Sequence, residues 1–119
     1  MNRQDPESLL PVKPAELLVL TMLMAGERHG YGIRQDIIAH TQGAIQLEAG
    51  NLYRSMRRLE ADGLVEEAGR RPAADADDER RRYYRLTAFG RRVLAAEMLR
   101  LRALVQLAED LELIGPVRA

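Results

Sequence analysis

The 119-residue sequence has no cysteine, no tryptophan, one phenylalanine and two histidines. Without cysteine there are no disulfides, no thiolate chemistry and no cysteine-ligated zinc. His29 and His40 alone are too few for an imidazole metal site, and His29 reads instead as a turn residue or cap. Lysine is nearly missing as well, since all but Lys13 of the 18 basic residues are arginine. Neither sign of charge is in excess: 18 basic residues face 18 acidic ones, so global basicity does not advertise a polyanionic partner. Long apolar runs are absent too. The first eight residues, M-N-R-Q-D-P-E-S, hold no signal core, and the longest run, Leu17–Ala25, is broken by Thr21. Both fall short of the ~18 residues of a membrane span, which makes the cytoplasm the expected location and a membrane no partner. No carboxylate pair, nucleophile–base pair or phosphate-cradling loop appears, so neither an enzyme nor a cofactor is expected. The acidic run Asp75, Asp77, Asp78 and Glu79 lacks the glycine and spacing of a calcium loop and reads as solvated.

What is present is organised around Leu47–Leu64, L-E-A-G-N-L-Y-R-S-M-R-R-L-E-A-D-G-L. The pattern predicts a helix from Ala49 to Asp62, stopped by Gly63 in a left-handed cap. Leu52, Met56 and Leu59 form one apolar stripe, and Tyr53, Arg54, Arg57 and Arg58 fall opposite. Three guanidiniums and a phenol on one solvent face suit guanine edges and phosphate oxygens. Arg58 lies near the flank, where a pairing with Asp62 one turn on is equally open.

Length allows one domain. Residues 1–13 read as an arm, extended and partly ordered by Leu9 and Leu10. Pro14 opens a helix over 15–25 that is apolar on nearly every side, closed by Gly26. Glu27–Gly30 reads as a turn. A second helix, 31–41, buries Ile33, Ile37 and Ile38 and stops at Gly43. Two helices with a tight connection, the later one bearing a basic face, match a helix-turn-helix. Two strands, 64–68 and 81–86, then make a hairpin in which Tyr84 and Leu86 share the core face. A hairpin after a three-helix unit is the winged-helix arrangement. Thr87 caps a last helix over 88–111, whose Leu94, Met98, Leu101, Val105 and Ala108 follow a 4-3-4-3 spacing. That seam, with Leu17 and Leu20 of the greasy first helix, is the expected homodimer interface. The fold class is therefore mainly α with a small β-hairpin: a winged helix-turn-helix over 14–86 and a dimerisation helix and tail over 87–119.

Four blocks, H-G-Y-G-I at 29–33, G-N-L-Y at 50–53, R-R-L-E-A-D-G-L-V at 57–65 and R-R-Y-Y-R-L-T-A-F-G at 81–90, resemble the PadR-type transcriptional regulators in order and spacing. The resemblance covers about residues 14–94. It implies a winged-helix DNA-binding domain, a C-terminal dimerisation helix and repression at inverted-repeat operators in double-stranded DNA. A ligand or stress signal would relieve that repression; in some members the effector is a flat apolar molecule stacked on tryptophan, a residue this chain lacks. The single short C-terminal helix is similar to the smaller of the family's two size classes. Carried over, the DNA-facing block falls on Gly50, Asn51, Tyr53, Arg54, Arg57 and Arg58. Asn51 is placed to pair with adenine, and Gly50 to let the backbone come close to phosphate. The second-helix tyrosine falls on Tyr31, and the basic wing strand on Arg80, Arg81 and Arg82. The alternative is a winged helix used only for protein–protein assembly, which zero net charge would suit. The acidic residues between the wing arginines are expected to be held away from DNA.

Overall fold

The structure is a computed structural model, and it describes residues 5–68 and 82–116. Four helices surround one core: α1 (Pro14–Met24), α2 (Gly30–His40), α3 (Ala49–Ala61) and α4 (Ala88–Asp110). Three short strands complete it: β1 (Arg28–His29), β2 (Val65–Glu67) and β3 (Tyr83–Leu86), antiparallel in the order β1-β3-β2. No described helix is long and apolar enough to cross a membrane.

Every predicted helix is present, and several termini have a local physical cause. Pro14 starts α1, where its missing N–H costs nothing. The His29 ring caps α2, its Nδ1 accepting from the Gly32 N–H at 2.9 Å. Gly63 adopts φ +80° after α3, and the Leu64 N–H returns to the Leu59 carbonyl at 2.9 Å. Two expectations need correction. Glu27–Gly30 is not simply a turn, because Arg28 and His29 pair with Tyr84 and Tyr83 of β3 as a third strand. The arm is not extended throughout, because Pro6–Leu9 forms a 3-10 turn capped by Asp5, although Leu9 and Leu10 do pack against the core as expected.

The core joins Val19, Leu20 and Leu23 of α1 to Ile33 and Ile37 of α2 and Leu52, Met56 and Leu59 of α3. Tyr84 and Leu86 of the sheet and Val93 and Leu94 of α4 close it. Leu20, at 0% exposure, and Leu94, at 5%, therefore lie within one chain rather than on a subunit surface. The expected seam is divided: α4 is anchored as far as Leu94 and Glu97, while Met98, Leu104, Val105, Leu107 and Leu111 remain exposed.

Thr87 joins the end of α3 to the start of α4. Its N–H donates to the Leu64 carbonyl at 3.0 Å, and its hydroxyl donates to the Gly63 carbonyl at 2.6 Å while accepting from the Gly90 N–H at 2.9 Å.

A second clip holds the arm. The Glu97 carboxylate, 1% exposed, accepts from the Val12 N–H at 3.0 Å and from Arg100 Nε at 2.6 Å. The Arg100 bond outweighs the opposing effect of burial, and with the Val12 N–H it holds the Glu97 carboxyl below its usual range. A carboxyl that ionises more readily in the folded chain stabilises it above the ordinary glutamate pKa of about 4.3. That contribution disappears as pH falls through the lowered folded value. Urea midpoints should show Glu97→Gln less stable than wild type at pH ~7. The gap should narrow below pH ~4, and a gap independent of pH would exclude the charged clip.

Candidate nucleic-acid interface

The candidate surface is the outer face of α3. Burial of Leu52, Met56 and Leu59 at 0–1% exposure leaves Gly50, Asn51, Arg54, Arg57 and Arg58 in solvent. This face is held against α2 by side chains as well as by packing. Arg34 of α2 donates Nε to the Leu47 carbonyl at 2.7 Å, fixing the chain just before α3. Thr41 donates to the Ile37 carbonyl at 2.8 Å and accepts from the Ile45 N–H at 3.1 Å, shaping the connection. Arg34 is functional scaffolding that periodicity does not reveal, since an arginine in a helix reads by default as a solvated charge.

The predicted residues are not equivalent in place. Arg57 forms no ion pair among the described residues. Arg54 donates Nη2 to Asn51 Oδ1, so those two form a unit on the surface. Arg58 pairs not with Asp62 but with Glu16 of α1, Nη1 to Oε2 at 3.5 Å. Glu16 is nearly buried on an otherwise apolar helix, and that isolated acid was the one sequence signal for such a tie. Tyr53 is only half-buried rather than fully outward. A Cβ at position 30 would meet its hydroxyl at 2.7 Å, so the absence of a side chain on Gly30 lets the phenol lie over the start of α2. The second and first sequence blocks thus meet in space. Among the described residues an added Cβ at Gly50 would meet only Arg54 Nη1, at 3.8 Å, and none of them demands glycine there. The first turn of α3 also has no side-chain cap, leaving backbone N–H groups open.

Tyr31 stands beside this face, 51% exposed, its ring stacked near His29 at 6.3 Å. His29 in turn meets Tyr83 edge-on at 5.2 Å. Tyr84 lies on the side of the sheet toward α3. Burial, then the nearby Glu60 and Glu67 carboxylates, push its hydroxyl pKa up, so it stays protonated. Arg82 is exposed at the edge of β3 and pairs with Glu67 at 3.2 Å. Arg80, Arg81 and the acidic run 75–79 lie outside the described residues.

Comparison with known proteins agrees with this geometry. Residues 19–96 match the transcriptional regulator PadR-like family. An uncharacterized protein of Lysinibacillus sphaericus is 30% identical over 78 residues, which span 66% of this chain and 69% of that one. The crystal structure of a PadR family transcriptional regulator from Eggerthella lenta is 29% identical with TM-score 0.64, covering 89% of this chain and 83% of the other. That of a PadR family transcription regulator from Clostridium difficile shares the fold at 20% identity and TM-score 0.67, covering 83% and 98%. With a winged helix, a buried three-residue stripe behind an arginine face and two thirds of its length matched, the chain belongs to the PadR-like family of transcriptional regulators.

Proposed function

We propose that the protein is a dimeric, effector-responsive repressor that places α3 of each subunit in successive major grooves of an inverted-repeat operator. The observation that carries this reading is the outer face of α3, where Arg54, Arg57 and Asn51 are exposed over a fully buried Leu52, Met56 and Leu59. Arg57 and the Asn51–Arg54 unit read base edges in this arrangement, and Gly50 and the uncapped first turn take backbone phosphate. Tyr31, Tyr53 and Arg82 add phosphate contacts from either side. Arg58, tied to Glu16, contributes charge more than readout. Residues 14–86 form the reading unit and 87–119 the pairing unit. Met98, Leu101, Val105 and Ala108, with support from Leu17, make the twofold seam. A small apolar effector entering that seam would change the separation of the two α3 helices. Repression fails when the separation departs from the ~34 Å of one helical turn.

Selection of bound duplexes from a random pool tests class and symmetry together, and this reading expects an enriched inverted repeat. On that duplex Arg57→Ala should weaken binding by ~1–3 kcal/mol with relaxed preference at one base pair. A uniform loss across sequences, with a salt slope smaller by about one, would instead make Arg57 a phosphate contact. Undiminished binding by the Arg54→Ala, Arg57→Ala double variant would remove this face from the interface.

A further inference from the structure

The base of the hairpin has an electrostatic arrangement that recognition by α3 does not require. Val65 stands opposite Leu86, and Glu67 opposite Tyr84, so these four share the face that enters the core. Arg82 continues that face two residues beyond Tyr84, in diagonal reach of Glu67. There the two pair, Nη1 to Oε2 at 3.2 Å, with side chains 64% and 45% exposed. The other face repeats the theme, because Arg85 is held by Glu66 at 2.9 Å and by Glu27 at 3.7 Å. Each arginine in the described part of the hairpin thus faces at least one carboxylate. A matched pair is a short dipole whose field fades within about one Debye length of ~8 Å, so this part of the wing attracts DNA weakly from a distance. A phosphate arriving from the α3 side meets an Arg82 that is already occupied.

We propose that Glu67 is an affinity-setting residue of the DNA interface, an internal carboxylate standing where a phosphate oxygen would bind, so that a duplex gains Arg82 only by displacing it. This rests on the reading of the protein as a duplex-binding regulator. Carboxylate and phosphate accept the same guanidinium N–H donors in the same geometry. An exposed ion pair is weak enough to exchange, and the dense charge of the duplex drives the exchange. Once displaced, Glu67 faces the phosphates with no cation on it, and that repulsion lowers the return from the new contact. A residue that never touches DNA in this way sets how strongly the wing holds it and how steeply salt weakens the hold.

The test is a double-mutant cycle on Glu67→Gln and Arg82→Gln. Binding to the selected duplex and to a scrambled one is followed by fluorescence anisotropy from about 50 to about 200 mM salt. Both side chains are largely exposed, and equal urea midpoints establish that all four proteins are folded. With Arg82 present, Glu67→Gln should tighten binding to both duplexes by about 1.5- to 5-fold and steepen the salt slope by up to about one. In the Arg82→Gln background the gain should shrink to the smaller part that comes from repulsion between the bare carboxylate and phosphate. An equal gain in both backgrounds would mean that only a negative charge near DNA had been removed, and would overturn the proposal. No gain with Arg82 present would overturn it as well. Absence of salt-dependent duplex binding by the wild-type protein is a different outcome, which removes the functional reading and this inference together.

Discussion

If the protein pairs through α4 as proposed, a Leu101→Asp, Val105→Asp variant is expected to sediment as a monomer at concentrations where the wild-type protein sediments as a dimer. Beyond Leu94 and Glu97, although the Pro6–Leu9 turn packs on α4 and Leu101 is half-buried, much of the helix's apolar side is left exposed among the described residues. Met98 and Val105 are each 39% exposed, Leu104 is 54% and Leu107 is 51%. From Met98 to Asp110 the helix runs for about 20 Å at ~1.5 Å per residue, long enough for a short seam. On the proposed reading a second copy covers this apolar overhang, and a twofold axis gives each helix the same surface it offers. Two aspartates per chain put four carboxylates into the seam, where each loses water without gaining a cation. The dissociation constant should rise by roughly a thousandfold or more, equivalent to ~4 kcal/mol. Operator binding should fall with it, because a monomer holds one half-site and loses the linked second contact, a loss of about 10²- to 10⁴-fold. Neither residue belongs to the core, so the helical circular dichroism signal should persist. An unaltered dimer would exclude this face of α4 from the interface.

Gly90→Ala is expected to cost more stability than any other single methyl addition considered. A Cβ at residue 90 would overlap the carbonyl oxygen of Leu64, with that residue's carbonyl carbon and Cα close behind at 2.9 and 3.2 Å. All three are backbone atoms and cannot swing aside as a side-chain end can. The same carbonyl accepts the Thr87 N–H, so pushing it away also loosens the Thr87 joint. Overpacking of this kind costs about 3 kcal/mol or more, a large share of the ~5–15 kcal/mol that holds a typical domain together. Urea unfolding should show the midpoint falling sharply with little change in slope. Gly50→Ala is the matched control, since its methyl makes only an ordinary contact with the end of the Arg54 side chain at 3.8 Å, and it should not lower the midpoint. A Gly90→Ala midpoint equal to that of the control would mean that the start of α4 can retreat from Leu64.

Features whose cause is local were readable from the sequence. The stripe Leu52–Met56–Leu59, the left-handed stop at Gly63 and the Thr87 cap each depend on residues within one or two helical turns, and each is present. Features whose cause lies far along the chain were not. Arg28 and His29 have no strand periodicity of their own, and their conformation is supplied by β3 more than fifty positions later. The choice of Glu16 over Asp62 by Arg58 depends on how α1 crosses α3, which no spacing encodes. Leu20 and Leu94 carry the same apolar signal as Met98 and Val105, and only three-dimensional packing sorts core from overhang. At the candidate interface, composition and periodicity picked out the exposed arginine face of α3 but not the acids that hold Arg58 and Arg82.

The Thr87 joint has a further consequence for how such a protein can change over generations. Its three hydrogen bonds tie residues 63 and 64 directly to residues 87 and 90, so the chain that ends α3 is joined to the chain that begins α4. The end of α3 and the start of α4 are held together at that joint, and Val93 and Leu94 fix the first turns of α4 in the core. On the proposed dimeric reading, a change in the number or charge of residues between β2 and β3 leaves that join, and with it the distance between paired reading heads, untouched. Mutation can retune the grip on the sugar-phosphate backbone independently of the span between half-sites, two traits that one continuous element would have forced to vary together.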